Sequence, residues 1–462
     1  MERANAWKTY SEQDMGRIDN LCDDYKAFIS SNKTERECVD TMTKLAESCG
    51  YVPLELVIEE GQALQPGSAV WASKHGKTLM LVHIGEEPMV NGFNILGAHI
   101  DSPRLDLKQN PLYESNGLVL LDTHYYGGIK HYQWVTIPLA LHGVVAKKDG
   151  TVVQVAIGDQ VDDPVFCVTD LLIHLGKTQL EKKGSEVVEG EALDVLAGSQ
   201  PLLGADDDCK EPVREQVLSI LKEKYGIEEE DFLSAELEVV PAGKARDLGF
   251  DRSMVIGYGQ DDRVCAYTSF AAQLDVEAPK KTTVCILVDK EEIGSVGATG
   301  MASLFFEDTI AEIMELAGEG GALNVHRALA ASSMLSSDVS AGFDPSYASV
   351  FETKNAAYLG RGLVFNKYTG ARGKSGSNDA RAEYVARVRG IMDDAGVHFQ
   401  TAELGKVDAG GGGTIAYIPA KYGMDVIDSG VAVLSMHAPW EVTSKADIYE
   451  AFKGYKAFLL NA

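Results

Sequence analysis

The chain has 462 residues, of which 45% are hydrophobic, so it can bury a sizeable core and is long enough for two or three domains, or for one large α/β domain with an insertion. Its 69 Asp and Glu residues outnumber its 42 Lys and Arg residues and give a formal charge of -27, which repels phosphate backbones and anionic lipid headgroups. We therefore expect neither nucleic acid nor a membrane among its partners.

The sequence predicts neither a membrane span nor a secretory signal. The longest apolar run, WVTIPLALHGVVA, is shorter than the roughly 20 residues that a spanning helix needs. The first residues carry acidic and polar side chains where a secretory signal has an apolar core. The seven cysteines never form C-x-x-C, which favours free thiols over a disulfide framework. These features together predict a cytoplasmic protein.

The predicted elements change character along the chain. Apolar residues recur at helical spacing through the first 50 residues, and Gly50 is typical of a helix end. Strands follow, and then β-rich segments separated by acidic loops such as IEEEDF. After about residue 250, helix-like and strand-like segments alternate, which indicates an α/β sheet. We therefore predict an α/β domain built from residues 1–107 and 246–462, interrupted by an inserted β-rich domain at 108–245.

Several predicted strands end in side chains that bind metals or transfer protons. NILGAHID ends with His99 and, two residues later, Asp101. Three further runs and one helix start carry Glu291 and Glu292 (VCILVDKEE), Asp338 (MLSSD), His437 (VAVLSMH) and Asp262 (GYGQDDRV). Ligands of α/β sheets bind beyond the carboxyl ends of the strands, so we expect these side chains to lie close together.

The types of these side chains point to two metal ions. A carboxylate that bridges two metals, with one His and one further carboxylate on each side, needs five ligands, and the five candidates are His99, Asp262, Glu292, Asp338 and His437. Mixed His and carboxylate ligation suits zinc, with manganese or cobalt as alternatives. Glu291, beside Glu292, is the candidate general base. Each short motif alone is more simply a polar strand end, so the prediction depends on their combination.

Five motifs carry a family resemblance that covers almost the entire chain. GAHIDSPRLDLK, GYGQDDRV, VDKEEIGSVGATG, SSDVSAGFDPSY and SMHAPWE occur in the order found in the aspartyl aminopeptidase family of dinuclear zinc metallopeptidases, and the chain resembles its bacterial branch. The resemblance implies a metallopeptidase domain with a mixed central sheet flanked by helices. It also implies a β-rich insertion that mediates dimers, assembly into a homododecamer, and removal of N-terminal residues from peptides.

The resemblance also assigns roles to the candidate residues. It makes Asp262 the bridging ligand, with His99 and Asp338 on one metal, Glu292 and His437 on the other, Glu291 as general base and Asp101 as the carboxylate that orients a ligand. Two positions depart from eukaryotic members. Asp261 stands where an apolar residue is usual and competes with Asp262 for the bridging role, and Asp170 replaces a His thought to serve a neighbouring subunit. We prefer Asp262, and an ionised Asp170 could not donate a hydrogen bond.

The family name implies an acidic first residue in the substrate, which requires a cation in the pocket. The Gly-rich stretch NKYTGARGKSGSNDA supplies Lys367, Arg372 and Lys374. Three alternatives remain: a related dinuclear amidohydrolase, either a deacylase or an aminopeptidase of neutral specificity; an assembly protein without enzymatic activity; and a nucleotide-binding protein. The last depends on GKS in the same stretch, but Tyr368 stands where a phosphate loop requires Gly.

Overall fold

The structure is a computed structural model that describes residues 4–206, 208–370 and 373–462. It divides into two compact units. Unit 1 comprises Met1–Asp101, Ala245–Met436 and Glu441–Ala462, and unit 2 comprises Ser102–Lys244 and His437–Trp440. Unit 2 begins earlier in the chain than the predicted insertion, because its first strand already starts at Arg104. Among the described residues, no helix combines the length and apolar character that a membrane crossing requires.

The strands and helices of the described residues are numbered in chain order. The strands are β1 (Val52–Pro53), β2 (Ala69–Lys74), β3 (Thr78–His83), β4 (Asn94–His99), β5 (Arg104–Ser115), β6 (Leu118–Tyr126), β7 (Leu139–Ala146), β8 (Val152–Ile157), β9 (Cys167–Val168), β10 (Val195–Gly198), β11 (Ala235–Pro241), β12 (Arg246–Leu248), β13 (Met254–Gly257), β14 (Thr283–Val288), β15 (Ser333–Ser337), β16 (Ser340–Ala341), β17 (Leu363–Asn366), β18 (Phe399–Thr401), β19 (Asp425–Gly430), β20 (Ala432–Leu434) and β21 (Glu441–Ser444). The α-helices are α1 (Glu12–Ser31), α2 (Glu35–Ser48), α3 (Leu54–Glu59), α4 (Lys177–Leu180), α5 (Pro212–Tyr225), α6 (Gln260–Leu274), α7 (Phe305–Leu316), α8 (Ala322–Ala330), α9 (Ala382–Asp394) and α10 (Lys445–Asn461).

Unit 1 is built on a mixed sheet with the strand order β1-β2-β3-β14-β4-β15-β19-β17-β18. The central strands β14, β4, β15 and β19 run parallel to one another, whereas β3 and β17 are antiparallel to their central neighbours. This arrangement confirms the predicted α/β class with a mixed central sheet. Because the four central strands are parallel, their carboxyl ends lie at one edge of the sheet.

Both faces of this sheet are covered, so its four central strands are buried almost throughout their length. Alternate residues of β14 point to opposite faces. Cys285 and Leu287 join the apolar cluster that contains side chains of α1, α6 and α10. Val284 and Ile286 join a second cluster that contains side chains of α7 and α8. The two helices predicted within the first 50 residues are confirmed as α1 and α2, each of which begins with a capping box.

Two smaller sheets complete the fold. In unit 1, a second sheet has the order β12-β13-β21-β20-β16. Unit 2 contains a sheet with the order β8-β7-β11-β5-β6-β10-β9, in which neighbouring strands are antiparallel. Antiparallel pairing allows short connections, as between β5 and β6, so this β-rich unit needs few helices.

Candidate metal centre

Three ligand-type side chains of unit 1 gather at the carboxyl edge of the main sheet. His99 ends β4, Asp338 follows β15 directly, and Asp261 lies in the first turn of α6. His99 Nε2 lies 3.2 Å from Asp261 Oδ1 and 3.9 Å from Asp338 Oδ1. Each of the three residues offers a ligand atom within 4.8 Å of the other two. One metal ion fits between an imidazole nitrogen and two carboxylate oxygens at these separations.

Glu292 brings a fourth ligand-type side chain to the same place. One of its carboxylate oxygens lies within 4.8 Å of an oxygen of Asp261. Asp261 therefore lies between His99 and Asp338 on one side and Glu292 on the other. A carboxylate in this position has two oxygens with which to serve two metal ions.

Asp261, and not the predicted bridging ligand Asp262, is the aspartate that belongs to both described groups of candidate ligands. Asp261 has non-helical backbone angles (φ -80, ψ 107) although it lies within the range of α6. In such an extended backbone, consecutive side chains point in different directions. The Asp261 N–H donates to Glu441 Oε2 at 3.0 Å, while the Asp262 carboxyl is fully buried. Burial raises the pKa of the Asp262 carboxyl well above its usual value. The two adjacent carboxylates of QDDRV pointed to this site, but the preference for Asp262 rested on residue types and not on the backbone angles that separate the two side chains.

Asp101 holds three neighbouring groups with one buried carboxylate. Its Oδ1 lies 3.3 Å from His99 Nδ1 and accepts the Glu291 N–H at 3.2 Å, and its Oδ2 accepts the Glu292 N–H at 3.2 Å. A partner at Nδ1 directs the other ring nitrogen of His99, Nε2, towards Asp261 and Asp338. Burial opposes charge on this imidazole, but hydrogen bonds with Asp101 and Asp261 raise the pKa of His99 well above its usual value.

Glu291 lies beside the candidate ligands without belonging to a described ligand group. It opens a short 3-10 helix, Glu291–Ile293, flanked by the left-handed residues Lys290 (φ 71) and Gly294 (φ 97). Its Oε2 is 3.9 Å from His99 Nε2, and 16% of its side chain is exposed. A carboxylate this close to the ligands, and still reachable by water, is suitably placed to exchange protons.

His437 is the predicted ligand that falls within unit 2. It belongs to the four-residue segment His437–Trp440 of unit 2. In the sequence, this segment lies between Met436 and Glu441, which both belong to unit 1. Its Nδ1 lies 2.8 Å from Gly128 O. A ring nitrogen that meets a carbonyl oxygen carries the proton, so Nε2 is the nitrogen suited to a metal.

The charge of this site is consistent with bound divalent cations. Burial, followed by the nearby charge of Asp262, raises the pKa of the Asp338 carboxyl well above its usual value. Asp101, Asp261 and Asp338 are each at most about a tenth exposed, and a group of buried carboxylates is costly unless positive charge compensates it. Carboxylate oxygens with an imidazole nitrogen are a donor set that zinc accepts. The residues present therefore fit a dinuclear zinc site.

Two of the three predicted substrate-binding cations bind the same carboxylate, which was not among the predicted site residues. Lys367 and Lys374 both bind Asp379, the latter at 2.9 Å, and their hydrogen bonds lower the pKa of the Asp379 carboxyl. Lys374 Nζ also lies 3.8 Å from the centre of the Tyr368 ring, beside a cavity of about 210 Å³. Arg372 lies outside the described residues.

Comparison with known proteins identifies a family over nearly the whole chain. A family model described as Aminopeptidase I zinc metalloprotease (M18) matches residues 28–459. The chain is 61% identical over 460 residues to a protein of Clostridium acetobutylicum named probable M18 family aminopeptidase 1, covering 100% of this chain and 98% of that protein. It is 45% identical to a crystal structure of an M18 aminopeptidase from Thermotoga maritima, with a TM-score of 0.95 and 100% of both chains covered. A more distant yeast structure, described as an Ape1 dodecamer, shares the fold at 19% identity, with a TM-score of 0.76, and the match covers 96% of this chain and 97% of that one.

Proposed function

Because the chain belongs to the M18 family of zinc metalloproteases, and is therefore a metal-dependent aminopeptidase, we propose which of its residues perform the reaction. His99 and Asp338 would hold one zinc ion, Glu292 and His437 would hold the second, and Asp261 would contribute a carboxylate oxygen to each. The observation that carries this proposal is the position of Asp261, whose carboxylate has ligand atoms of His99, Asp338 and Glu292 within 4.8 Å.

Glu291 is the general base of the proposed mechanism. Bound zinc ions supply positive charge that polarises the scissile carbonyl and makes water more acidic. Glu291 accepts the proton that water loses when it attacks the carbonyl carbon, and then donates that proton to the leaving amine. In support, its carboxylate lies 3.9 Å from His99 Nε2 and remains partly exposed. Asp101 keeps the base and the adjacent ligand Glu292 in place through their backbone amides.

The two adjacent aspartates provide a matched test of the bridging ligand. Asp261→Asn replaces a ligand oxygen with an amide nitrogen, so purified protein should contain less zinc and lose activity. Asp262→Asn makes the same chemical change one residue later, and we expect it to retain both zinc ions. Zinc content is measured by elemental analysis, with folding checked by circular dichroism. Full zinc content in D261N together with zinc loss in D262N would restore Asp262 as the bridge.

A separate substitution tests the general base. Glu291→Gln removes the proton acceptor but keeps the size of the side chain, so zinc content should be normal while kcat falls by about 10²–10⁴-fold. An aminoacyl amide with a free amine serves as the substrate, and the amine-blocked analogue as a control for aminopeptidase activity. A normal kcat in E291Q would refute the assignment.

The proposed specificity is for acidic N-terminal residues, with Lys367, Lys374 and Arg372 as candidate partners of the substrate carboxylate. The alternative is an aminopeptidase that prefers neutral N-terminal residues. The ion pairs of Lys367 and Lys374 with Asp379 favour this alternative, because they already offset part of the positive charge of the two lysines. Hydrolysis of Asp, Glu, Leu, Lys and Met amides by the zinc-loaded protein distinguishes the two. A preference for Asp and Glu that is lost in Lys374→Met supports acidic specificity, and an unchanged preference for Leu or Met supports the alternative.

The proposed assembly is a homododecamer in the cytoplasm that acts on peptides. The yeast structure with the same fold is described as a dodecamer. Unit 2 also exposes large apolar side chains, including Leu172 (54%), Ile173 (68%) and Leu175 (68%), which is typical of an interaction surface. In this segment Asp170 accepts hydrogen bonds from its neighbour Leu171 and from Gln179. Light scattering of the purified protein measures the mass, and a monomer at assay concentration would contradict the proposal.

A further inference from the structure

The segment Asp289–Thr299, named here the base loop, carries both Glu291 and Glu292. It starts at the carboxyl end of β14, and two backbone hydrogen bonds, called here the outer and the inner closure, hold its turns together. The outer closure is the Asp289 N–H, which donates to Thr299 O at 3.2 Å. The inner closure is the Ser295 N–H, which donates to Lys290 O at 2.7 Å. The base loop therefore has a defined backbone course, although it is formed by a turn outside any sheet.

A buried pair of side chains reinforces the outer closure. Thr299 Oγ1 donates to Asp289 Oδ2 at 2.6 Å, and Lys290 Nζ lies 3.3 Å from the same oxygen. Asp289 has no exposed surface, and Thr299 is 4% exposed. Thr299 is also tied to the sheet, because Thr78 Oγ1 of β3 donates to its carbonyl oxygen. A hydrogen bond between two buried side chains is stronger than the same bond at the surface.

The Thr299 hydroxyl is not part of the metal centre described above, but it donates a hydrogen bond to Asp289 at the start of the loop that carries Glu291. Asp289 is two residues before Glu291, and Asp101 already anchors the amides of Glu291 and Glu292. Asp101 thus holds two amides near the start of the base loop, and the Asp289–Thr299 pair holds its two ends together. A small displacement of a base that must meet a proton at hydrogen-bond distance can reduce the rate by orders of magnitude.

We propose that Thr299, through its hydrogen bond to the Asp289 carboxylate, is a positioning residue for the general base Glu291. The proposal rests on the role of Glu291 given above. Thr299 belongs to neither described group of candidate metal ligands. Its hydroxyl keeps the base loop closed, so that the Glu291 carboxylate stays at the distance at which it exchanges a proton with the attacking water and the leaving amine.

The test compares Thr299→Val with Thr299→Ser in the zinc-loaded enzyme. Valine has the shape of threonine without the hydroxyl, so kcat should fall by about tenfold or more, with KM and zinc content unchanged. Serine keeps the hydroxyl and should restore most of kcat. Thr123→Val is the matched control, because Thr123 is also buried and its hydroxyl donates to Leu193 O at 2.8 Å within unit 2. This control should lose stability but not kcat.

A second comparison separates positioning from general damage to the fold. If Thr299 acts through Glu291, then T299V should cause no further loss when E291Q is already present, whereas independent damage would reduce the residual rate again. Thr299→Ala, which also removes the hydroxyl in a smaller side chain, replaces T299V if the latter does not fold. A normal kcat in T299V, or a loss that follows zinc content, would overturn the proposal. A normal kcat in E291Q would instead overturn the assignment of the base, and the role of Thr299 with it.

Discussion

Replacing Asp101 with asparagine should weaken zinc binding without removing a zinc ligand. The Asp101 carboxylate meets at least three donors: His99 Nδ1 at 3.3 Å and the amides of Glu291 and Glu292 at 3.2 Å each. Asparagine has one acceptor oxygen and a donor NH₂ group in the same volume. Donors approach both carboxylate oxygens of Asp101, so the NH₂ group of asparagine must face at least one of these donors.

The size of the effect follows from this mismatch. One buried donor left without an acceptor costs about 1–3 kcal/mol. If this cost falls on the state that binds zinc, affinity decreases by about 10–100-fold, which is the range found when a residue that orients a metal-binding histidine is replaced. We also expect kcat to fall at saturating zinc, because the same carboxylate holds the amide of the base Glu291.

Activity measured against buffered free zinc gives both quantities, the zinc concentration at half activity and the limiting kcat. Asp447→Asn is the matched control: Asp447 is also fully buried and accepts two backbone N–H groups, from Gly360 at 2.8 Å and from Gly362 at 2.7 Å. It should be less stable, with unchanged zinc affinity. The reasoning fails if D101N binds zinc as tightly as the unsubstituted chain, or if D447N weakens binding equally.

Burial raises the pKa of the Asp447 carboxyl to about 8, so between about pH 4 and pH 8 the folded chain binds a proton that the unfolded chain does not. The free energy of unfolding should therefore fall as the pH rises through this range, by up to about 1.4 kcal/mol per pH unit, and urea titrations of D447N should lack this contribution. Gly430→Ala should displace Asp338 and reduce zinc content, because a Cβ there would lie 1.9 Å from Asp338 O, whereas Gly16→Ala meets no atom within 4 Å and should bind zinc normally. Asp379→Asn should increase kcat/KM for Asp and Glu amides relative to Leu amides, because it removes the carboxylate that binds Lys367 and Lys374; an unchanged ratio would exclude Asp379 from specificity.

The sequence could anticipate that candidate residues at the ends of regular strands lie close together. His99 is the last residue of β4 and Asp338 directly follows β15, and parallel strands bring their carboxyl ends to one edge of the sheet. The choice between Asp261 and Asp262 depends on local backbone angles at the start of α6, which residue types do not reveal. Likewise, Asp379 approaches Lys367 only through the folding of an irregular loop, and no periodic pattern encodes that contact.

Adjacent glutamates with different roles require a backbone that separates their side chains. In the base loop, the amides of Glu291 and Glu292 both donate to Asp101, which fixes two consecutive peptide groups against one carboxylate. With both amides held, the backbone sets the direction of each side chain: Glu292 reaches Asp261, while Glu291 lies beside His99 but belongs to neither described ligand group. Asp101 also contacts His99. The same carboxylate therefore positions two proposed metal ligands, His99 and Glu292, and the proposed base Glu291. Substitutions at these residues should therefore not be additive, because each disturbs the carboxylate that positions the others.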